Sequence, residues 1–110
     1  MTDNMESAIE LNDKNLLKCN YAKAMSNYEN ARIELARLTA AYDRARHSKR
    51  TELYREKMAG AKYSEECIRS MTITEFAELN AKVLEAQAQL DNYKVELDFA
   101  RDMFLDHNNN

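Results

Sequence analysis

Residues 76–104 read FAELNAKVLEAQAQLDNYKVELDFARDMF, and their apolar positions, Phe76, Leu79, Val83, Ala86, Leu90, Tyr93, Leu97, Ala100 and Phe104, recur at gaps of three and four. That is the seam of a helix packed lengthwise on another helix. A matching seam lies earlier in the chain: Leu17, Tyr21, Ala24, Tyr28, Ala31, Leu35, Leu38, Tyr42 and Ala45. Two such stripes in one short chain predict a long antiparallel helical hairpin of coiled-coil type, and an all-α fold.

Facing residues of an antiparallel pair have position numbers with a constant sum. With a sum of 121, Ala45 meets Phe76, Leu35 meets Ala86, Tyr28 meets Tyr93, Ala24 meets Leu97 and Leu17 meets Phe104. Five of the nine layers then set alanine against Phe, Leu or Tyr, the large-against-small filling that close packing favours. The fold-back falls at Gly60, the only glycine in a chain without proline. Glycine readily takes the left-handed conformation that closes a helix, and Ser64 followed by Glu65 and Glu66 suits the start of the next one.

The expected organisation is a single helical domain over 1–110: a first helix over about 7–58, a turn at 59–64, a return helix over about 64–107, and a disordered Asn tail. Ser7 and Glu10 have capping-box spacing for the first start. The heptad lapses after Ala45 and resumes on a shifted face at Leu53, Tyr54 and Met58, a discontinuity that leaves the segment 47–73 either continuous with the long helices or kinked or broken. Thr72 with Glu75 offers a second capping box, so the return helix either runs on from Ser64 or restarts near Thr72. In the shifted patch Leu53 meets Ile68, and Glu52 faces Arg69 as an ion pair.

Composition sets the outer bounds. Of 110 residues, 45% are apolar and 32% charged, a balance that suits amphipathic helices better than disorder. No apolar run is long enough to span a membrane, and the first residues lack the pattern of a secretion signal, so a cytoplasmic protein is expected. Cys19 and Cys67 form neither a CxxC pair nor a zinc cluster and are expected to be reduced. The net charge of −3 is unevenly spread: residues 32–62 carry nine basic and four acidic groups, whereas residues 63–110 carry four and ten.

Two surfaces are candidates for function. A two-helix hairpin buries one stripe per helix, which is a small core for a monomer. The return helix has a second apolar stripe, Leu84, Ala88, Val95 and Phe99, and the first helix has a weaker one containing Met25 and Ile33. These predict self-association into a helical bundle, or docking on a protein partner. The second surface is a basic tip of Arg44, Arg46, Lys49, Arg50 and Arg55, interleaved with tyrosines, where nucleic acid or a nucleotide would bind. Asp43, Glu52, Glu56, Glu65, Glu66 and Glu75 offset most of that charge, and solvated helix surface is the better account of it.

Asp98, Asp102 and Asp106 share one face but lack converging ligands, so no metal or cofactor is expected. There is no glycine-rich phosphate loop and no nucleophile paired with a histidine, so no catalysis is expected. In architecture alone, a hairpin that dimerises is similar to the plasmid-encoded RNA-binding Rop family, and a mid-chain turn is similar to the small secreted hairpins with a Trp-x-Gly turn. Met58-Ala59-Gly60 stands where that turn motif would be, and no shared motif carries a function across. The overall expectation is a non-enzymatic interaction protein: an adaptor, assembly factor or inhibitor of the size of a phage- or plasmid-encoded accessory.

Overall fold

The computed structural model describes the backbone of residues 2–109 and the side chains of residues 12–108. It is an all-α antiparallel helical hairpin with three helices: α1 (Thr2–Met58), α2 (Glu65–Glu75) and α3 (Ala77–Asn109). The expected capping pair Ser7 and Glu10 falls outside the described side chains, as does Asn110 at the end of the tail. Contacts divide the chain into a turn unit, Ile33–Ala88, and a terminal unit, Met1–Arg32 with Gln89–Asn110.

In the terminal unit α1 and α3 run antiparallel along the two seams. All their described seam positions, from Leu17 to Ala31 and from Leu90 to Phe104, are buried or half-buried. The rings of Tyr21 and Phe104 lie 5.4 Å apart between centroids, tilted by 58°. Their position numbers sum to 125, so their Cα atoms differ in level by about 6 Å in a register of 121. Helical side chains lean toward the N-terminus of their own helix. In an antiparallel pair that lean brings Tyr21 and Phe104 toward each other across the offset, so this contact belongs to the expected register. Among the described residues of this unit only Ala24 is fully buried.

In the turn unit the seam positions are again covered, and here the core closes completely. Leu53 and Ile68 are each 1% exposed and Thr72 is 2% exposed. The expected heptad discontinuity is present on both sides of the hairpin, but it takes different forms. α1 passes through His47–Arg50 without a break. Nothing there stops a helix: no glycine or proline intervenes, and the Thr51 hydroxyl donates to the His47 carbonyl at 2.9 Å. The seam instead steps 45, 49, 53, two gaps of four in succession, which rotates the buried face. The return side steps 68, 72, 76, the same insertion, and each of these positions sums to 121 with its counterpart on α1. Two helices that slip phase together keep their stripes facing.

The return helix gives way at Phe76, not at Thr72. Phe76 is the C-cap of α2 at φ −109° and ψ 22°, and its carbonyl accepts the first hydrogen bond of α3, from the Asn80 N–H at 2.9 Å. Thr72 is no helix start; it is buried inside α2 with its hydroxyl donating to the Ile68 carbonyl at 2.8 Å. A buried threonine must spend its donor, and the carbonyl one turn back is the nearest acceptor.

The turn itself follows local chemistry. The Ala61 N–H donates to the Glu56 carbonyl at 2.9 Å and the Gly60 N–H to the Lys57 carbonyl at 3.1 Å, closing α1 in a Schellman motif. That closure needs a positive φ, which Gly60 supplies at +113°. Ser64 caps α2, its hydroxyl accepting from the Cys67 N–H at 3.0 Å, with Glu65 and Glu66 in the first turn. The Glu56 carboxylate beside Tyr63 raises the phenol above its ordinary pKa, by its charge first and by a hydrogen bond second.

Candidate functional site

The five basic residues expected at the tip have separate fates within the turn unit. Lys49 is committed to acidic partners: its Nζ lies 3.1 Å from Glu75 and 3.9 Å from Glu52. The hydrogen bond to Glu75 raises its pKa above the ordinary lysine value. Arg44 and Arg55 are exposed. Arg55 borders a shallow depression with His47, Ser48, Thr51, Glu52 and Glu56. Arg46 and Arg50 stand together at a different place, a cavity of about 440 Å³.

Arg46, Arg50 and Tyr54 line that cavity from α1, and Glu65, Arg69, Thr72 and Ile73 line it from α2. The two rows have a simple origin. Arg46, Arg50 and Tyr54 are spaced by four, so they form one ridge along α1; Glu65, Arg69 and Ile73 form the same ridge along α2. Their numbers pair to a single sum of 119, so in a register of 121 Arg46 and Ile73, Arg50 and Arg69, and Tyr54 and Glu65 are each offset by about 3 Å along the hairpin. Both ridges flank the buried seam on one side, and the cavity is the space between them.

The charges in this cavity are not balanced. Among the described residues none of Arg46, Arg50 and Arg69 forms a salt bridge with a carboxylate; those found involve Arg32, Arg37, Lys49 and Arg101. The guanidinium of Arg46 lies over the Tyr42 ring, 5.2 Å from its centroid. The Arg46 Nε is buried and has no hydrogen-bond partner. The expected Glu52–Arg69 ion pair is not formed. Glu52 faces Lys49 instead, and Arg69 turns to the cavity.

The other candidate surface is the outer face of α3. Counting 100° per residue, Leu84, Ala88, Val95 and Phe99 fall within a narrow sector roughly opposite the seam. In the turn unit Leu84 is 63% exposed, and in the terminal unit Val95 and Phe99 are 69% and 68% exposed. Ala88 is exposed as well. On α1, Met25 and Ile33 are also largely exposed.

The aspartate row near the end of α3 is partly neutralised, since Arg101 lies 3.3 Å from Asp98 and 3.8 Å from Asp102. Among the described residues no three His, Cys, Asp or Glu side chains are grouped so as to hold a metal ion. Cys19 and Cys67 are free and exposed. No described helix is long and apolar enough to cross a membrane. No protein-family model, curated protein or solved structure matches the chain.

Proposed function

We propose that the protein is a non-enzymatic, cytoplasmic interaction module that self-associates through the outer face of α3 and acts as an adaptor, assembly factor or protein inhibitor. The observation that carries this reading is the exposure of Leu84, Val95 and Phe99 on a face opposite the one α3 uses inside the hairpin. Singly exposed apolar residues are ordinary, but a row of large ones on one helix face marks a surface that gains free energy when covered. A second copy is the occupant argued for, because a hairpin that buries one stripe per helix has a small core for a monomer, and the exposed Met25 of α1 adds to the area that a second copy covers.

Light scattering coupled to size exclusion tests this directly. The 12.8 kDa chain should elute at twice that mass or more at micromolar concentration, and Phe99→Glu should return it to a monomer with its helix content intact. A wild-type monomer that retains full helicity removes the self-association reading.

A further inference from the structure

We infer that the cavity between the Arg46–Tyr54 ridge of α1 and the Glu65–Ile73 ridge of α2 binds a small phosphoryl-bearing anion. The ligand class is a phosphorylated or pyrophosphorylated small molecule, not a nucleic-acid strand. Two observations converge on it. First, three guanidinium groups line one cavity of about 440 Å³ while none of them has a carboxylate within salt-bridge range. The acidic groups of the same unit are used elsewhere: Glu75 and Glu52 hold Lys49, and Glu34 holds Arg37. Second, Arg50 and Arg69 line the same cavity from opposite helices. Like charges placed opposite each other are unfavourable unless something of opposite sign lies between them.

The chemistry of the lining selects the ligand. Guanidinium forks match the paired oxygens of a phosphoryl group, and several of them lining one cavity favour a dianion over a monoanion. The volume falls in the range of small-molecule sites and exceeds what a bare phosphate fills. Tyr54 offers a ring face and a hydroxyl beside the arginines. Glu65, the single acid in the lining, repels a second anionic group at that end and accepts from a hydroxyl or amine of the ligand instead. A nucleic-acid strand needs a basic track continuing past the site. Here the neighbouring cation Lys49 is already neutralised, and Glu56 and Glu66 stand near the turn.

This inference concerns the turn unit alone and holds whether or not the α3 face pairs with a second copy. Isothermal titration of the full chain with sodium pyrophosphate and, separately, with a single-stranded oligonucleotide tests it. Pyrophosphate should bind saturably at one per chain at physiological ionic strength. Arg50→Gln and Arg69→Gln, both at exposed positions, should each weaken that binding by about tenfold or more. Arg55→Gln, a basic residue of the same unit outside the cavity, should leave it unchanged. Thermal unfolding supplies a second readout: pyrophosphate should raise the midpoint of the wild type, and Arg50→Gln should melt higher than wild type without anion and gain less from it. Absence of saturable pyrophosphate binding overturns the inference. So does an equal loss in Arg55→Gln, which would mean diffuse attraction, or a preference for the oligonucleotide that the same variants abolish.

Discussion

The turn unit and the terminal unit are built from one kind of helix seam, yet they bury it to different depths. In the terminal unit the heptad is regular, two helices share a single stripe, and Leu90, Tyr93, Leu97 and Phe104 keep part of their surface in water. In the turn unit the stripe slips phase on both helices, and Leu53, Ile68 and Thr72 are almost wholly enclosed. Regular spacing makes a long interface, whereas the rotated face near a closed end makes a core. The same rotation places two ridges beside the core and leaves a cavity between them, so the irregular part of the hairpin is also the part that holds this cavity.

This contrast is open to direct attack. The largest effect is expected at the enclosed side chains: Leu53→Ala or Ile68→Ala should cost about 3 kcal/mol of stability, measured by urea unfolding. Leu97→Ala, at a half-buried position of the terminal unit, should cost about half as much, because less surface leaves water. Equal losses at the two sites would mean that the units do not differ in packing.

At the turn, Gly60→Ala should cost about 1 kcal/mol. A Cβ there meets no atom within 4 Å, so the penalty is the left-handed backbone alone, partly offset by a stiffer unfolded chain. Ser64→Ala should cost about 1 kcal/mol through loss of the cap on α2, with Ser64→Asp close to wild type. Circular dichroism melts distinguish these from a global change in helix content.

The alkaline side of the stability profile sharpens the comparison further, since the shifted groups there lie in the turn unit. Lys49 is raised by its hydrogen bond to Glu75, and Tyr63 is raised by the Glu56 charge. A raised folded pKa means that the folded state holds the proton more tightly, so the contribution is complete below the ordinary value and fades as pH rises through the folded one. Both groups act in the same direction, above pH 10.0 for the phenol and above pH 10.5 for the ammonium. The midpoint of urea unfolding should therefore fall in that range for the wild type, and fall less for Lys49→Met combined with Tyr63→Phe. The smallest effect is expected at Glu29–Arg32 and Glu34–Arg37, exposed pairs one turn apart on α1. Replacing either pair by Gln should leave the midpoint unresolved from wild type, because solvent screens such pairs.

Much of the architecture was legible before any coordinates. The seams from Leu17 to Ala45 and from Phe76 to Phe104 were readable because burial on a helix repeats at a period that residue types record. Gly60 and Ser64 were readable because closing and starting a helix are problems of a few neighbouring backbone groups. The exposed stripe Leu84, Ala88, Val95 and Phe99 was visible by the same periodicity, although what covers it is not a periodic property. The break at Phe76 was not legible, since Thr72 with Glu75 has the better local start signal and loses only because Thr72 is needed inside the core. Arg69 was missed as a site residue because its seam-level partner Glu52 looked sufficient. The signal was present in the matched spacing of Arg46, Arg50 and Tyr54 with Glu65, Arg69 and Ile73, read as flanking ridges.

Residue order alone was enough to specify an antiparallel hairpin and its turn, because periodicity, glycine chemistry and capping act over a few residues and need no knowledge of distant ones. Three-dimensional packing alone decided which arginines stand together without an acid, which lysine is neutralised, and where the return helix yields. Those outcomes depend on the rotation of one helix against another, and a small change in that rotation moves a flanking side chain from one neighbour to the next.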